Sequence, residues 1–323
     1  MFRILLTTTS YQDTPGPHHY LLNSQGYDIT HERGPLPEEK MLELAGDFDA
    51  FLCGDDAITA PVIDKSLPKL KAISKYGIGL DKIDVPHATS KKLPILFTPG
   101  VNHTTVAEHT FGLLLGITKK IQTNAADCQN GLWQAGWKKP IGNEIMDKTM
   151  GIIGLGRIGK EVATRARAFA MPVVAYDPFF DEGFAAAHDV KKAHSMDEVL
   201  HNADVVSLHC FLDDTTRDMI DAAKIAEMRD GAVVLNCARG EIVVAADIND
   251  ALRSGKLGGY GADVLDEEPP PADHPLLSAP NAVITSHIAS RTHESVIRQA
   301  LRATNNLINY LSKTDDVIQA NQF

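Results

Sequence analysis

The stretch Thr149–Pro178, TMGIIGLGRIGKEVATRARAFAMPVVAYDP, constrains this chain more than any other. The apolar run Met150–Ile153 reads as a buried strand, and Gly154, Gly156 and Gly159 follow it as G-x-G-x-x-G. Ile158, Val162, Ala166 and Phe169 then recur at helical spacing. A second apolar run, Val173–Tyr176, ends in Asp177, 18 residues after Gly159. In such a unit the first glycine permits the tight turn and the second leaves room for a phosphate against the backbone. The third lets helix pack on strand, and the helix N-terminus faces the anion. A glycine triplet alone is only a turn. A strand before it, a helix after it and an acid at this distance make it a dinucleotide site. Asp177 suits ribose hydroxyls and repels a 2′-phosphate, so NAD is expected rather than NADP.

The rest of the chain repeats the alternation. Strands are expected at Arg3–Thr8, Tyr27–His31, Ala50–Cys53, Ala72–Lys75 and Ile95–Phe97, with helices at His18–Ser24, Pro37–Ala45, Pro61–Lys65 and Pro86–Lys91. Thr98-Pro99-Gly100 breaks the chain and marks a crossover to a second domain. A long helix is expected from there to about Gln122. Glu108 and His109 lie on it, where helix-face hydrogen bonding is the expected use of both. Asn124–Lys148 is polar and broken by glycine yet carries Trp133 and Trp137, which fits an arm that covers a second subunit. After Asp177 come strands at Val205–His209, Ala232–Asn236, Gly258–Val264 and Ala282–Thr285, and helices at Ala222–Met228 and Ala245–Ser254. Counting the two strands around the glycine turn, the second sheet has six. The helix Ser290–Ser312 then has no strand left to serve there and is expected to pack on the first domain.

Composition narrows the classes. A length of 323 residues suits two domains, and 44% hydrophobic residues supply their cores. The net charge of −11 argues against a nucleic-acid surface. The N-terminus MFRILLTTTS is too short an apolar run for a leader or a membrane span, so no membrane association is expected. Cys53, Cys128, Cys210 and Cys237 are scattered without zinc-like spacing, which fits reduced thiols in the cytoplasm and no metal site.

Chemistry concentrates where strands of the second sheet end. Arg239 follows Leu235-Asn236-Cys237-Ala238, Glu268 sits five residues past Asp263, and His287 follows Val283–Thr285. Carboxyl ends of strands in a nucleotide-binding sheet are where a substrate meets the cofactor. Arg grips a carboxylate through two parallel hydrogen bonds, His exchanges a proton near neutral pH, and a carboxylate beside the His favours its protonated form. Singly each has a plainer use, as a surface ion pair, a solvated acid or a satisfied polar residue. Together, after a dinucleotide site, they point to hydride transfer with a proton partner. In the first domain, Lys75-Tyr76-Gly77-Ile78-Gly79 directly follows a strand and is a candidate substrate loop.

These motifs, with Leu80-Asp81-Lys82-Ile83-Asp84, Pro99-Gly100-Val101-Asn102 through Val106-Ala107-Glu108, Asn236-Cys237-Ala238-Arg239-Gly240, Asp263-Val264 with Glu268-Pro269, and His287-Ile288-Ala289-Ser290, resemble the D-isomer-specific 2-hydroxyacid dehydrogenase family over nearly the whole length. The nearest subgroup is phosphoglycerate-dehydrogenase-like. The resemblance implies an α/β fold of two doubly wound parallel-sheet domains. A Rossmann NAD-binding domain at 100–289, with a dimerisation helix and arm at about 101–148, is inserted into a flavodoxin-like substrate domain at 1–99 plus 290–323. It implies Arg239 as carboxylate anchor, His287 as acid/base and Glu268 as its partner. Gly154, Gly156, Arg157, Ile158, Gly159, Asp177, Thr105, His209, Cys210, Cys237 and Asp263 are expected to line NAD, with Asp263 near the nicotinamide carboxamide. Tyr76, Gly77, Ile78, Gly79, Asn102 and Arg239 are expected to hold the substrate. The partners implied are a small 2-hydroxy or 2-keto acid and a second copy of the chain, with closure of the gap between domains excluding water.

Four departures bear on substrate and control. No C-terminal regulatory domain follows residue 323, so serine feedback of that kind is not expected. Phosphoglycerate enzymes place an arginine near Gly54, but here Asp55 and Asp56 follow it and repel a dianion. Lys75, Arg291 and Arg298 are the cations available to offset them. Phe211 and Ser286 stand where the family often has proline. The expectation is an NAD-dependent oxidoreductase for an unphosphorylated acid such as glyoxylate or hydroxypyruvate. The alternatives are phosphoglycerate dehydrogenase itself and an NAD-sensing regulatory binding protein of the same fold.

Overall fold

A computed structural model describes residues 1–323, which divide into two compact units, Met1–Asn102 with Ser290–Phe323 and His103–Ala289. The first unit holds strands β1 (Arg3–Leu6), β2 (Asp28–His31), β3 (Ala50–Cys53), β4 (Ala72–Lys75) and β5 (Ile95–Leu96). They form an all-parallel sheet in the order β2-β1-β3-β4-β5. That is the flavodoxin-like order. Alternation along the strands sorts the core into two faces. Leu5, Phe51, Ile73 and Ile95 pack with Met41, Val62, Ile63 and Ala88 from the helices Glu38–Leu44, Ala60–Ser66 and Val85–Ser90. Ile4, Leu6 and Leu52 pack on the other side with Tyr11, Leu22, Ala300, Ala303 and Leu307. The last three lie on the helix His293–Leu311, so this helix completes the first unit as expected. Ser74 Oγ donates to Ala303 O at 2.8 Å, and Tyr11 Oη and Thr304 Oγ1 are 2.9 Å apart.

The second unit adds β6 (Met150–Ile153), β7 (Val173–Tyr176), β8 (Val190–Lys192), β9 (Val205–Leu208), β10 (Ala232–Asn236), β11 (Leu257–Ala262) and β12 (Ala282–Ile284). Their order is β12-β11-β10-β9-β6-β7-β8, all parallel. The order reverses about β6, the mark of a Rossmann sheet. Met150, Ile152, Val173, Ala175, Val205 and Leu235 face the helices His103–Thr118 and Arg157–Ala168. Ile153, Val174, Val206, Leu208 and Val234 face Val199, Ile225 and Ile248 on the opposite side. Gly259 and Gly261 let the first of those helices lie close. A Cβ on either would sit 2.3 Å and 3.0 Å from Ile117 side-chain atoms.

Three details differ from expectation. The sheet has seven strands rather than six, because β8 is an edge strand of three residues whose two lysines are exposed and leave no hydrophobic pattern to read. The helix expected to reach Gln122 stops at Thr118. Asn143 N donates to Thr118 O at 2.7 Å, Lys120 turns left-handed at φ 55°, and a separate helix runs Ile121–Gln129. Pro37 is the residue before its helix rather than the first within it.

Candidate functional site

One register row organises the second unit. Tyr176, Ile153, Leu208 and Asn236 are successive cross-strand partners, and Asn236 continues to Ala262 and Ile284. The residues just past that row are Asp177, Gly154, His209, Cys237, Asp263 and Thr285. Parallel strands about 4.8 Å apart therefore set these residues along one edge.

The glycine turn occupies the middle of that edge. Gly154 has φ 96°, and a Cβ there would lie 2.7 Å from Cys210 N and from His209 C. A Cβ on Gly159 would lie 2.1 Å from Gly154 O, so the helix Arg157–Ala168 packs directly on the turn. Gly156 has open space where its Cβ would be. It precedes exposed Arg157 and half-buried Ile158 at the helix N-terminus, whose leading N–H groups have no helical partner. That cradle fits a pyrophosphate. Asp177 closes it from the side, accepting from Leu155 N at 2.7 Å through one carboxylate oxygen and from Phe179 N at 2.7 Å through the other. The acid thus latches the glycine turn.

His209, Cys210 and Cys237 along that edge are half-buried and uncharged. His209 Nε2 meets Ser207 Oγ at 2.7 Å, and its backbone N–H bonds Ile153 O at 2.8 Å. Burial holds the ring down at a pKa of about 3, hence neutral. Burial likewise pushes the Cys210 thiol up to about 11 and that of Cys237 to about 12, so neither is a thiolate. Thr105 is buried on the helix His103–Thr118.

The three residues expected to carry the chemistry stand on the loops after β10, β11 and β12. Glu268 Oε1 accepts from Leu265 N at 3.0 Å, and Oε2 lies 2.8 Å from His287 Nδ1. A carboxylate only accepts, so Nδ1 carries the proton between them. Arg239 is half-buried, with Nη1 donating to Ala238 O at 2.7 Å. Its loop is clamped by fully buried Asn236, whose Nδ2 donates to Arg239 O at 2.8 Å and whose Oδ1 accepts from Ala238 N at 3.0 Å. Gly240 lets that loop press on the next one, because a Cβ there would lie 1.9 Å from Leu265 C. Neither Asn236 nor Gly240 stood out among the expected site residues, although both lie in the Asn236–Gly240 motif.

Asp263 is a buried hydrogen-bond centre for the loop after β12. Its carboxylate, 2% exposed, accepts from Thr285 Oγ1 at 2.6 Å, Ile288 N at 2.9 Å and Ala289 N at 2.7 Å. Its backbone carbonyl accepts from His287 N at 2.8 Å. His287 is left-handed at φ 54°, an uncommon state for a residue with a side chain, and these bonds hold it there.

The first unit carries the other expected residues. Tyr76 N bonds Cys53 O at 2.8 Å, and Gly77 N bonds Thr98 Oγ1 at 2.9 Å, which latches the Tyr76–Gly79 loop at the end of β4. Asn102 ends the unit's first segment, and its Oδ1 is buried without a hydrogen bond. The acidic wall expected at Asp55 and Asp56 is corrected here. Asp56 is fully buried and accepts from Thr7 Oγ1 at 2.5 Å, Gly54 N at 3.0 Å and Leu36 N at 2.8 Å. Lys75, 2% exposed, donates to Asp55 Oδ1 and Gly54 O, each at 2.5 Å. One acid serves the loop's own backbone and the other is paired. Lys75 is committed to that pair rather than offered to a phosphate.

No helix is long and apolar enough to cross a membrane, and no group of three or more His, Cys, Asp or Glu side chains is placed to hold a metal ion. Residues 111–289 match the NAD binding domain of the D-isomer specific 2-hydroxyacid dehydrogenases. The chain is 37% identical over 261 residues to a D-3-phosphoglycerate dehydrogenase of Methanocaldococcus jannaschii, covering 80% of this chain and 49% of that protein, so it spans about half the relative's length. It is 36% identical over 285 residues to a glyoxylate reductase of Thermofilum pendens, covering 87% and 84%. The crystal structure of the TT0316 protein from Thermus thermophilus superposes with a TM-score of 0.89 at 34% identity, covering 99% of this chain and 100% of that one. The chain belongs to the D-isomer specific 2-hydroxyacid dehydrogenase family, and its second unit is the NAD-binding one.

Proposed function

We propose that this protein is an NAD-dependent oxidoreductase that interconverts a D-2-hydroxy acid and its 2-keto acid. The observation that carries the reading is the 2.8 Å His287–Glu268 pair on the same sheet edge as the glycine cradle. When bound, the nicotinamide supplies or takes the hydride. His287 Nε2 gives the proton to the carbonyl oxygen in reduction and receives it from the hydroxyl in oxidation. Glu268 orients the ring and stabilises its cationic form. Arg239 anchors the carboxylate through its planar fork, with the Asn236 clamp keeping the fork in place. Asp263 keeps His287 in the backbone state that presents its ring.

We favour an unphosphorylated substrate such as glyoxylate or hydroxypyruvate. Between Phe51 and Pro61 there is no cation, and the lysine that reaches the Gly54 loop is paired with Asp55. The test is a panel of 2-keto acids with NADH, followed by absorbance, in which glyoxylate or hydroxypyruvate turns over and 3-phosphohydroxypyruvate gives a lower kcat/KM. Absence of turnover with every keto acid would favour the NAD-sensing binding protein instead. We also infer a cytoplasmic homodimer. The support is the exposed apolar run Leu132, Trp133, Ile141 and Met146 beyond the helix Ile121–Gln129, with Trp133 73% and Ile141 87% exposed, and four free cysteines. Sedimentation and fractionation check these.

A further inference from the structure

We propose that His109 is a positioning residue for the reaction, acting on His287 through Thr285 and Asp263. The proposal rests on the oxidoreductase reading for its kinetic consequence, but its structural half stands apart from it. His109 Nε2 lies 2.9 Å from Thr285 Oγ1, 176 residues away in sequence. That hydroxyl has one proton and two acceptors in reach, Asp263 Oδ1 at 2.6 Å and Ala262 O at 3.4 Å. The shorter bond to a carboxylate takes the proton. Thr285 Oγ1 is then an acceptor toward His109, which fixes Nε2 as the protonated nitrogen of that ring. His109 Nε2 is also 3.5 Å from Asp263 Oδ1, longer than a normal hydrogen bond, so its bond goes to Thr285.

Asp263 Oδ1 is the same atom that receives Ile288 N, and Oδ2 receives Ala289 N. The line of hydrogen bonds therefore runs from the helix His103–Thr118 through Thr285 to the carboxylate that holds the N–H groups of Ile288 and Ala289, next to His287. Each link aims the next: the imidazole N–H turns the hydroxyl, and the hydroxyl turns the carboxylate. Without His109 the hydroxyl is free to rotate to Ala262 O, and the buried carboxylate loses a donor. The left-handed backbone at His287 then has less to hold it, and the ring's placement against a substrate loosens.

The test uses the full-length protein with His109→Leu, His109→Gln and Thr285→Val. Hydrogen exchange at the backbone amides of residues 287–289 needs no turnover. We expect it to be roughly fivefold to tenfold faster in the Leu and Val variants, the worth of about one hydrogen bond, and near wild type in the Gln variant, which keeps a donor. With a keto acid that the wild type reduces, the Leu variant should lose about tenfold in kcat, as a displaced acid does, with an unchanged Kd for NADH. Its isotope effect from 4-deuterated NADH should rise, and the Gln variant should regain most of the rate. Adding Thr285→Val to His109→Leu should cost nothing further. Unchanged exchange in the Leu variant, failure of Gln to rescue, or a loss confined to NADH affinity overturns the proposal. If the wild type reduces no keto acid, the exchange result alone decides it, and the functional reading is what has failed.

Discussion

Asp263 fastens the backbone on both sides of His287: its carbonyl takes the His287 N–H at 2.8 Å, and its carboxylate takes those of Ile288 and Ala289 at 2.9 and 2.7 Å. An acid 24 positions earlier in the chain therefore sets the conformation of His287, the proposed proton carrier. Asp263→Asn keeps one acceptor oxygen and replaces the other with an amine, leaving a buried N–H without its partner. The variant should lose about 100-fold in kcat, the cost of displacing an oriented group, with NADH affinity much less affected. Stopped-flow reduction and NADH fluorescence titration measure the two separately.

The proton carrier itself has a partner whose charge matters to direction. Glu268→Gln keeps the shape but removes the anion that favours an imidazolium. Reduction, which begins with that cation, should slow by about tenfold or more at neutral pH, while oxidation slows less. Equal losses in both directions would mean that Glu268 only holds geometry.

Cofactor choice is expected to depend on Asp177. Its two oxygens each hold a backbone N–H at 2.7 Å, so Asp177→Ala should both narrow the preference for NADH over NADPH and loosen the glycine turn. The expected outcome is a weaker Kd for NADH and a smaller ratio of the two cofactors' kcat/KM. A wild type that uses NADPH as efficiently as NADH would contradict the assignment.

Gly240→Ala puts a methyl group 1.9 Å from a main-chain carbon, where no side chain can yield. It should destabilise the second unit by about 1–3 kcal/mol, as overpacking does, and lower kcat by moving the Arg239 loop. Thermal melts and kcat together check this, and a lower Tm with unchanged kcat would separate packing from function.

Acid should weaken the fold partly through His209. Its ring stays neutral in the folded chain to about pH 3, while the ordinary value is 6.5. Between those values the unfolded chain binds more protons than the folded one, so stability falls as pH drops through that window. Urea midpoints measured across it should decline less steeply for His209→Asn than for the wild type.

Much of this was legible in the residues. Strands Ala50–Cys53, Ala72–Lys75 and Ala232–Asn236 and the helix Ala245–Ser254 have the bounds that their apolar patterns predict. The strand Val190–Lys192 did not show itself, because a three-residue edge buries only Val190. The helix Met196–Asn202 was passed over despite its start signal: Ser195 Oγ accepts from Glu198 N at 3.2 Å, an S-x-x-E spacing. At the candidate site, Arg239, Glu268 and His287 stand out in the sequence because such side chains together at strand ends point to proton and carboxylate chemistry. What Asp263 does was not, because its partners are main-chain N–H groups 25 and 26 positions away, which carry no side-chain signature. Asp55 and Asp56 misled for the converse reason. Sequence displays their charges, while only packing shows that Thr7, Gly54, Leu36 and Lys75 consume them.

The first unit's sheet is sewn to the far end of the chain. Phe97 N bonds Ile318 O at 3.1 Å, Ile95 N bonds Asn321 Oδ1 at 2.9 Å, and Asn321 Nδ2 returns to Leu93 O at 2.9 Å. On the ribosome, vectorial synthesis then works against chain order. The contiguous His103–Ala289 unit is able to fold as soon as it emerges, whereas the unit that was begun first waits, with five strands made, for residues 290–323, which are made after it. Until residues 290–323 are made, its apolar face toward Ala300, Ala303 and Leu307 is bare, a nascent-chain surface that a chaperone would meet in the cell and that a product stalled before residue 290 would keep.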